Sequence, residues 1–241
     1  MTLNRLLVVA CLVLALAAAC GGSGEPEPAA SPAQPPAEAP AAPPAASPAV
    51  PPAEVRPAPT PTEGAVPWPL PTTPAELAEA AGFELKRREF LIFHVHAHLD
   101  VFVNGEPVGI PGGIGIVTTD PGVQSGEVNG APAYGGIEQC DEPCISPVHT
   151  HDASGIIHTE SAERRLNLLG QFFTEWDVRL DEDCVGGYCR PDANIAVYVD
   201  GEPYEGNPAD IELRDLREIA IVIGTPPAEI PSGYDWDSAQ A

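Results

Sequence analysis

The stretch FHVHAHLDVFVNGEPV (residues 93–108) alternates polar with apolar side chains and then reaches a turn signal. Successive side chains of a β-strand point to opposite faces, so this strand has one apolar face and one polar face. The polar face carries His94, His96, His98 and Asp100. Asn104-Gly105 suits a type I′ turn, in which both central residues need positive φ, so the stretch predicts a β-hairpin.

A second hairpin signal lies nearer the carboxyl end, where VYVDGEPY (197–204) matches VFVNGEPV (101–108) without gaps. A further strand is predicted at EIAIVIG (218–224). Short alternating strands separated by turn residues are typical of all-β domains. The sequence therefore predicts a mostly β fold, hairpin-rich and either a sandwich or barrel-like.

One principal amphipathic helix is predicted within SAERRLNLLGQFFTEW (161–176), with Ser161 as its cap. Helical spacing puts four apolar side chains on one face. They are Leu166, Leu169, Phe173 and Trp176. We expect this face to pack against the sheet and assign it no chemistry.

The remaining three histidines fall in PVHTHDASGIIHTE (147–160). The residues Asp152–Gly155 form a turn signal between two short strands. If they form the loop, His149 lies opposite His158 and His151 lies opposite Ile156. Directly opposed residues have Cβ atoms about 4.5–5.5 Å apart, close enough for two rings to bind one ion.

All six histidines of the chain thus lie in two clusters, and this pattern predicts a metal site. The predicted ligands are His94, His96, His98, His149, His151 and His158. Three carboxylates are candidate ligands or partners that orient a ring, namely Asp100, Asp152 and Glu160. Zinc or copper(II) suits such an imidazole-rich set. Histidines that sense pH or make structural hydrogen bonds are the alternatives.

The spacing of the first cluster limits how many rings can share one ion. His94 and His98 lie about 13 Å apart along an extended strand, whereas a zinc–nitrogen bond is about 2.0–2.1 Å long. A mononuclear site would take two neighbours from the first cluster and one or two histidines from the second. Six histidines could instead serve two ions.

Four cysteines belong to the folded part, in CDEPC (140–144) and CVGGYC (184–189). An even number of cysteines in an exported chain predicts disulfide bonds, and two local loops are the simplest pairing. The cysteines are Cys140, Cys144, Cys184 and Cys189. A thiolate metal site is the alternative, because CDEPC precedes the second histidine cluster closely.

Residues 1–20 read as an export signal, with Arg5 near the start followed by an apolar run. The ending AAAC-G resembles the lipobox of bacterial lipoproteins, although Ala17 stands where that family usually has leucine. The resemblance implies that Cys20 is lipidated and that the protein is extracytoplasmic, anchored to the bacterial cell membrane. Eighteen of the thirty prolines lie in residues 21–74, which predicts a disordered tether before a histidine-cluster domain at 75–241.

The net charge of the chain, −24, argues against nucleic acid or anionic lipid as a partner. The histidine clusters predict a metal ion as a partner, and the lipobox-like ending predicts contact with the membrane through the lipid anchor only. Metal binding for capture or delivery of zinc or copper is the function that the ligand set favours. A metal-dependent enzyme, hydrolytic or copper redox, is the alternative.

Two resemblances bear on these functions. HVH (94–96) resembles the copper-ligand motif of copper/zinc superoxide dismutases, which would imply redox chemistry at this strand. The resemblance covers that strand alone, because the rest of the family's ligand pattern is missing. The domain as a whole resembles exported bacterial proteins with paired histidine motifs, and this resemblance implies no particular activity.

Overall fold

The computed structural model of the protein describes residues 67–90 and 92–239, and strands predominate over helices in these ranges. The elements in chain order are α1 (Pro74–Ala80), β1 (Phe93–Val103), β2 (Glu106–Pro107), β3 (Gln124–Val128), β4 (Ala131–Gly135), β5 (Val148–His149), β6 (Ile156–Ser161), α2 (Leu169–Glu175), β7 (Cys184–Val185), β8 (Tyr188–Cys189), β9 (Ile195–Val199), β10 (Glu202–Pro203), a 3₁₀ turn (Pro208–Asp210), β11 (Arg217–Ile223) and α3 (Trp236–Ala239). The prediction of a mostly β fold is confirmed.

The main sheet is organised around β1. Its strand order is β10-β9-β11-β1-β6-β5, and β2 pairs with the end of β1. Both predicted hairpins are present, as β1–β2 and as β9–β10. Asn104 and Asp200 have φ of 52° and 54° at the two turns, and each is followed by a glycine with positive φ. These are the conformations that the turn sequences require.

The sheet is mixed, with one parallel pair of strands among antiparallel pairs. β11 lies parallel to β1, with Leu99 opposite Ile219 and Val101 opposite Ile221. All four of these side chains are at least 98% buried. β5 and β10 end the sheet on opposite sides, so among the described residues it is an open sheet and does not close into a barrel.

The apolar face of the sheet packs against α2, as predicted for the principal helix. Leu169, Phe173 and Trp176 are buried in the core that this face forms. Leu166, which was predicted on the same face, is instead exposed and precedes the helix. The predicted start of the helix is wrong, however, because α2 begins at Leu169. Ser161, the predicted cap, is still the last residue of β6 and pairs with Phe93. The backbone N–H of Leu168 instead donates to the Gln171 side chain.

The packed domain begins earlier than residue 75. Trp68 lies within the predicted tether, yet it is 2% exposed and its ring meets Trp176 edge to face at 5.5 Å. The predicted signal and residues 21–66 of the predicted tether lie outside the described residues. No helix in the described ranges is long and apolar enough to span a membrane.

The four cysteines of the domain form two local disulfides. Cys140 is joined to Cys144, and Cys184 is joined to Cys189. These are the pairings that the short spacings favoured. Because their sulfurs are bonded to each other, the CDEPC cysteines offer no thiolate to the nearby histidines.

A fully buried carboxyl group lies beneath the second histidine cluster. Glu175, at the end of α2, is 0% exposed and accepts a hydrogen bond from the Ser146 hydroxyl. Its other carboxyl oxygen has no hydrogen-bond partner. Burial raises the pKa of Glu175 well above its usual value, against the opposing effect of the Ser146 hydrogen bond. Burial therefore favours the protonated, neutral form of this carboxyl group.

Replacing Glu175 with glutamine should raise the melting temperature at about pH 8 and change it little at about pH 5. In the wild type, the folded chain retains a proton on Glu175 that the unfolded chain releases above the usual pKa of the carboxyl group. Folding stability therefore falls as the pH rises, and the glutamine variant avoids this loss. Thermal unfolding at both pH values measures the effect, with exposed Glu202→Gln as the control. An equal change at both pH values would contradict a neutral Glu175.

Candidate metal centre

Five of the six histidines converge on one face of the sheet. The antiparallel register places His96 of β1 opposite His158 of β6, and His158 opposite His149 of β5. One cross-strand row therefore holds three imidazoles. The predicted pairing of His149 with His158 is confirmed, whereas His151 lies beyond the end of β5. His94 lies on β1 two residues before His96, on the same face, and pairs with Glu160.

Two groups of possible ligand atoms overlap on this face. The inner group consists of His149, His151, His158 and Glu160. The outer group consists of His94, His96 and His158. Within each group the donor atoms lie within 4.8 Å of one another, and His158 belongs to both groups.

Hydrogen bonds to backbone carbonyls fix the tautomers of His149 and His151. His149 Nδ1 is 2.9 Å from the Ser146 carbonyl, and His151 Nδ1 is 2.6 Å from the Tyr134 carbonyl. A carbonyl oxygen only accepts, so each Nδ1 carries the proton and donates it. In its neutral form, each ring therefore presents an Nε2 atom that carries no proton.

These two Nε2 atoms face each other at 3.3 Å. Two lone pairs that point at one another repel unless a positive charge lies between them. Ligands about 2.0–2.1 Å from a tetrahedral ion are separated by about 3.3–3.4 Å. The spacing of His149 and His151 therefore matches that of two ligands on one ion.

Glu160 supplies a carboxylate to the same region. Its Oε1 lies 3.2 Å from His94 Nε2, 3.7 Å from His158 Nδ1 and 4.0 Å from His149 Nε2. Glu160 is 5% exposed, and its Oε2 is buried without a hydrogen-bond partner. A carboxylate oxygen is a ligand that zinc and copper(II) accept alongside imidazole nitrogens.

Burial keeps the central rings neutral. Complete burial, with the nearby rings of His151 and His158, holds the pKa of His149 well below its usual value. Burial and the rings of His151, His96 and His94 lower the pKa of His158 to about 2. A metal ion binds the neutral form of imidazole, so these rings are ready to act as ligands near neutral pH.

His98 lies apart from the other five histidines. Its Nε2 donates to the Ser154 carbonyl at 2.9 Å, and its Nδ1 lies 2.9 Å from a Glu218 carboxylate oxygen. Burial opposes the charged ring, but the Glu218 hydrogen bond and the charges of Glu218 and Asp100 raise the pKa of His98. His98, Asp100 and Glu218 form a third group with metal-compatible spacing. Even so, His98 has no free lone pair unless one of these hydrogen bonds breaks.

The two remaining predicted carboxylates take different positions. Asp100 lies beside His98, with its Oδ2 3.7 Å from His98 Nδ1. The Asp152 side chain accepts a hydrogen bond from the backbone N–H of Ser154 at 2.9 Å. Asp152 therefore shapes the turn after the second cluster and joins none of the three groups.

Three acidic residues near the histidines were missed by the sequence analysis. Glu89 Oε1 lies 3.6 Å from His151 Nε2, and Asp215 Oδ1 accepts from the backbone N–H of His96 at 3.2 Å. Glu218 is the partner of His98. Glu89 precedes β1 in an irregular segment, and the other two depend on β11, so no local spacing linked them to the histidines.

The glycine-rich segment IPGGIGIV (110–117) supports the second cluster at close range. Gly115 has a φ of +73°, and a Cβ there would lie 2.3 Å from the Val148 carbonyl oxygen and 3.1 Å from His149 Cβ. Gly113 donates its backbone N–H to the Thr150 carbonyl at 2.7 Å. Glycine is therefore required where this segment supports the backbone of the inner group.

Two aromatic side chains of the C-terminal segment cover part of the histidine face. The Tyr234 ring stacks on His98 at a centroid distance of 3.9 Å, and the Trp236 ring stacks on His96 at 6.2 Å. On the other side, a groove of about 510 Å³ reaches His151 and is lined in part by Glu89 and Tyr134. The inner group is therefore open to small molecules at its His151 edge.

These histidine and glutamate clusters could hold a metal ion. Comparison with known protein families, with characterised proteins and with solved structures finds no match to this chain. The function of this chain is therefore inferred from the geometry of its own residues.

NMR of the metal-free protein should find His149 and His151 with a proton on Nδ1 and none on Nε2. The reason is that both Nδ1 atoms donate to backbone carbonyls. Long-range ¹H–¹⁵N correlation spectra distinguish the two nitrogens, and His98 serves as the internal comparison because both of its nitrogens are hydrogen-bonded. A proton on Nε2 of either ring would contradict the converging lone pairs.

Proposed function

We propose that this protein binds a transition-metal ion, zinc or copper, outside the cytoplasm and holds it for capture or delivery. The observation that carries the proposal is the 3.3 Å separation of His149 Nε2 and His151 Nε2, on two rings whose Nδ1 atoms each donate to a backbone carbonyl. The inner group adds His158 and Glu160, which gives three nitrogens and one oxygen. Such a set suits zinc and copper(II).

The supporting structure around the inner group favours this proposal. The rings of His149 and His151 are oriented by carbonyls of Ser146 and Tyr134. Partners of this kind set the tautomer and the direction of a ligand ring in metal sites. The buried, unpaired nitrogen of His158 and oxygen of Glu160 would both gain a partner when an ion binds.

Binding ranks above catalysis because the ligand atoms of the inner group already lie within 4.8 Å of one another, which is what holding an ion requires. A metal-dependent enzyme is the second candidate, and the groove beside His151 is the observation that favours it. Catalytic metal sites keep a position open to solvent or substrate, and this groove would provide the access. Glu89 would be the carboxylate at its edge. Turnover by the metal-loaded protein, lost in the metal-free protein, distinguishes an enzyme from a carrier.

We also propose that the domain is held outside the cell membrane by a lipid on Cys20. The support is the signal-like N-terminus with its lipobox-like AAAC-G ending. The proline-rich segment after it would act as an extended spacer. A metal-binding domain on such a tether could sample ions away from the membrane surface.

Glu160→Gln should weaken zinc binding to the full chain by at least about 10-fold, because even residues that only orient ligands contribute about 10- to 100-fold. Asp100→Asn is the matched control, since Asp100 lies on the same sheet face outside the inner group. Isothermal titration with a competing chelator measures both affinities. Equal affinities of the wild type and Glu160→Gln would remove Glu160 from the site, and no zinc or copper uptake by the wild type would refute the proposed function.

Cys20→Ser should move the protein from the membrane fraction to the soluble fraction when the full chain is expressed in a bacterium. The change removes the only thiol that the lipobox-like sequence offers for lipidation. Cys11→Ser is the matched control, because Cys11 lies inside the predicted signal. Incorporation of labelled fatty acid provides a second readout. Membrane association that survives the Cys20 change would refute the lipid anchor.

A further inference from the structure

His158 lies in the middle of the histidine face, with candidate ligands on both sides. Strand β6 runs between β1 and β5, so His158 pairs with His96 on one side and His149 on the other. Its ring centroid is 4.5 Å from the ring of His96 and 4.5 Å from the ring of His151. Both neighbours are nearly perpendicular to it, at 76° and 77°. An imidazole ring has two nitrogens on different edges, and both can act as ligands once the ring has lost its N–H proton.

The outer group has the properties of a site in its own right. The His94 and His96 ring centroids are 4.5 Å apart, and both residues lie on β1 with side chains on the same face. His96 Nε2 is buried without a hydrogen-bond partner. A buried polar atom without a partner costs free energy, and a metal ion bound to the outer group would remove that cost.

We infer that the metal centre holds two ions, one in the inner group and one in the outer group, and that the His158 ring links them with one nitrogen on each ion. This inference rests on the proposed metal-binding function and deepens it, because it adds a second site and a shared ligand. A ring bound to two ions has released its N–H proton to solvent and carries a negative charge. Metal–nitrogen bonds of about 2.0–2.1 Å on both sides of the ring place the ions about 6 Å apart.

The surrounding charges can accommodate a second divalent ion. Glu160 Oε1 lies 3.2 Å from His94 Nε2 of the outer group and 3.7 Å from His158 Nδ1, so this carboxylate is close to both groups. Asp215 adds a carboxylate beside His96, and Glu89 adds one beside His151. With the negative His158 ring, these groups offset the charge that two ions bring.

The third group is a poorer place for a second ion. His98 uses Nε2 on the Ser154 carbonyl and Nδ1 on the Glu218 carboxylate. An ion there would have to displace a hydrogen bond in a buried ion pair, whereas His96 Nε2 has no bond to lose. The geometry therefore favours the outer group over the third group as the site of the second ion.

Copper(II) loading of the full chain tests the inference, with bound metal counted by elemental analysis after free metal is removed. Two copper(II) ions that share one imidazole couple magnetically, so their combined low-temperature EPR signal is much weaker than that of two separate ions. We expect two ions per wild-type chain and this weakened signal. His96→Ala should bind one ion and show the full signal of an isolated copper(II).

Two further variants keep the result interpretable. His94→Ala removes the more exposed ligand of the outer group and should also reduce the count from two ions to one. Asp100→Asn alters only the third group and should retain two coupled ions. Circular dichroism establishes that each variant is folded before its metal content is compared.

The possible outcomes distinguish failure of the two-ion inference from failure of the proposed metal-binding function. One ion per wild-type chain would overturn the second site and leave the proposed metal-binding function standing. Two ions with undiminished EPR intensity would overturn the sharing of His158. Two coupled ions that persist in folded His96→Ala and His94→Ala would overturn the assignment to the outer group. No bound metal would refute the proposed function, and the inference with it.

Discussion

The antiparallel register of β5, β6 and β1 is the constraint on which the candidate centre depends. It places His149, His158 and His96 in a single row across three strands. Side chains alternate along each strand, so a slip of one residue would turn these rings toward the apolar core. The core fixes the register in return, because Ala97, Leu99 and Ile157 on the opposite face must stay buried. Packing on one side of the sheet thus sets chemistry on the other.

Several polar groups of the centre lack hydrogen-bond partners within the protein. The Nε2 atoms of His149 and His151 face one another, and three further side chains each have a buried atom without a hydrogen-bond partner, namely His96, His158 and Glu160. Beneath them, the buried carboxyl group of Glu175 accepts a hydrogen bond from the Ser146 hydroxyl. The backbone carbonyl of Ser146 in turn orients the His149 ring. Interiors tolerate few such atoms, because each one loses its hydrogen bonds to water on folding. Their concentration at one place is typical of a site whose geometry is set for a ligand.

The sequence predicted the parts of this arrangement that local rules determine. Alternation placed the histidines of β1 on one face, and turn chemistry located Asn104-Gly105 and Asp200-Gly201. A short loop sufficed to pair His149 with His158. In each case the interacting residues are neighbours in sequence, so their spacing carries the information.

Other parts depend on contacts between distant segments, which the spacing of residues does not encode. β11 pairs with β1 in parallel across more than a hundred residues, and this pairing brings Glu218 to His98. No turn sets the register of a parallel pair, so Glu218 and Asp215 could not be assigned. The helix start was misplaced because pairing of Ser161 with Phe93 outweighed its local preference for a helix cap. Trp68 joined the core from a proline-rich stretch for the same reason, since burial against Trp176 is a tertiary contact.

The aromatic cover of the histidine face has a kinetic consequence. Tyr234 and Trp236 stack on His98 and His96, whereas the His151 edge opens to a groove. An ion in the outer group would be shielded on its His96 side by Trp236, whereas an ion in the inner group would face the groove on its His151 side. The residence times of two ions would then differ, and the same centre could retain one ion while it passes the other on. Substitutions in the tail would alter the dwell time of the retained ion without touching a ligand.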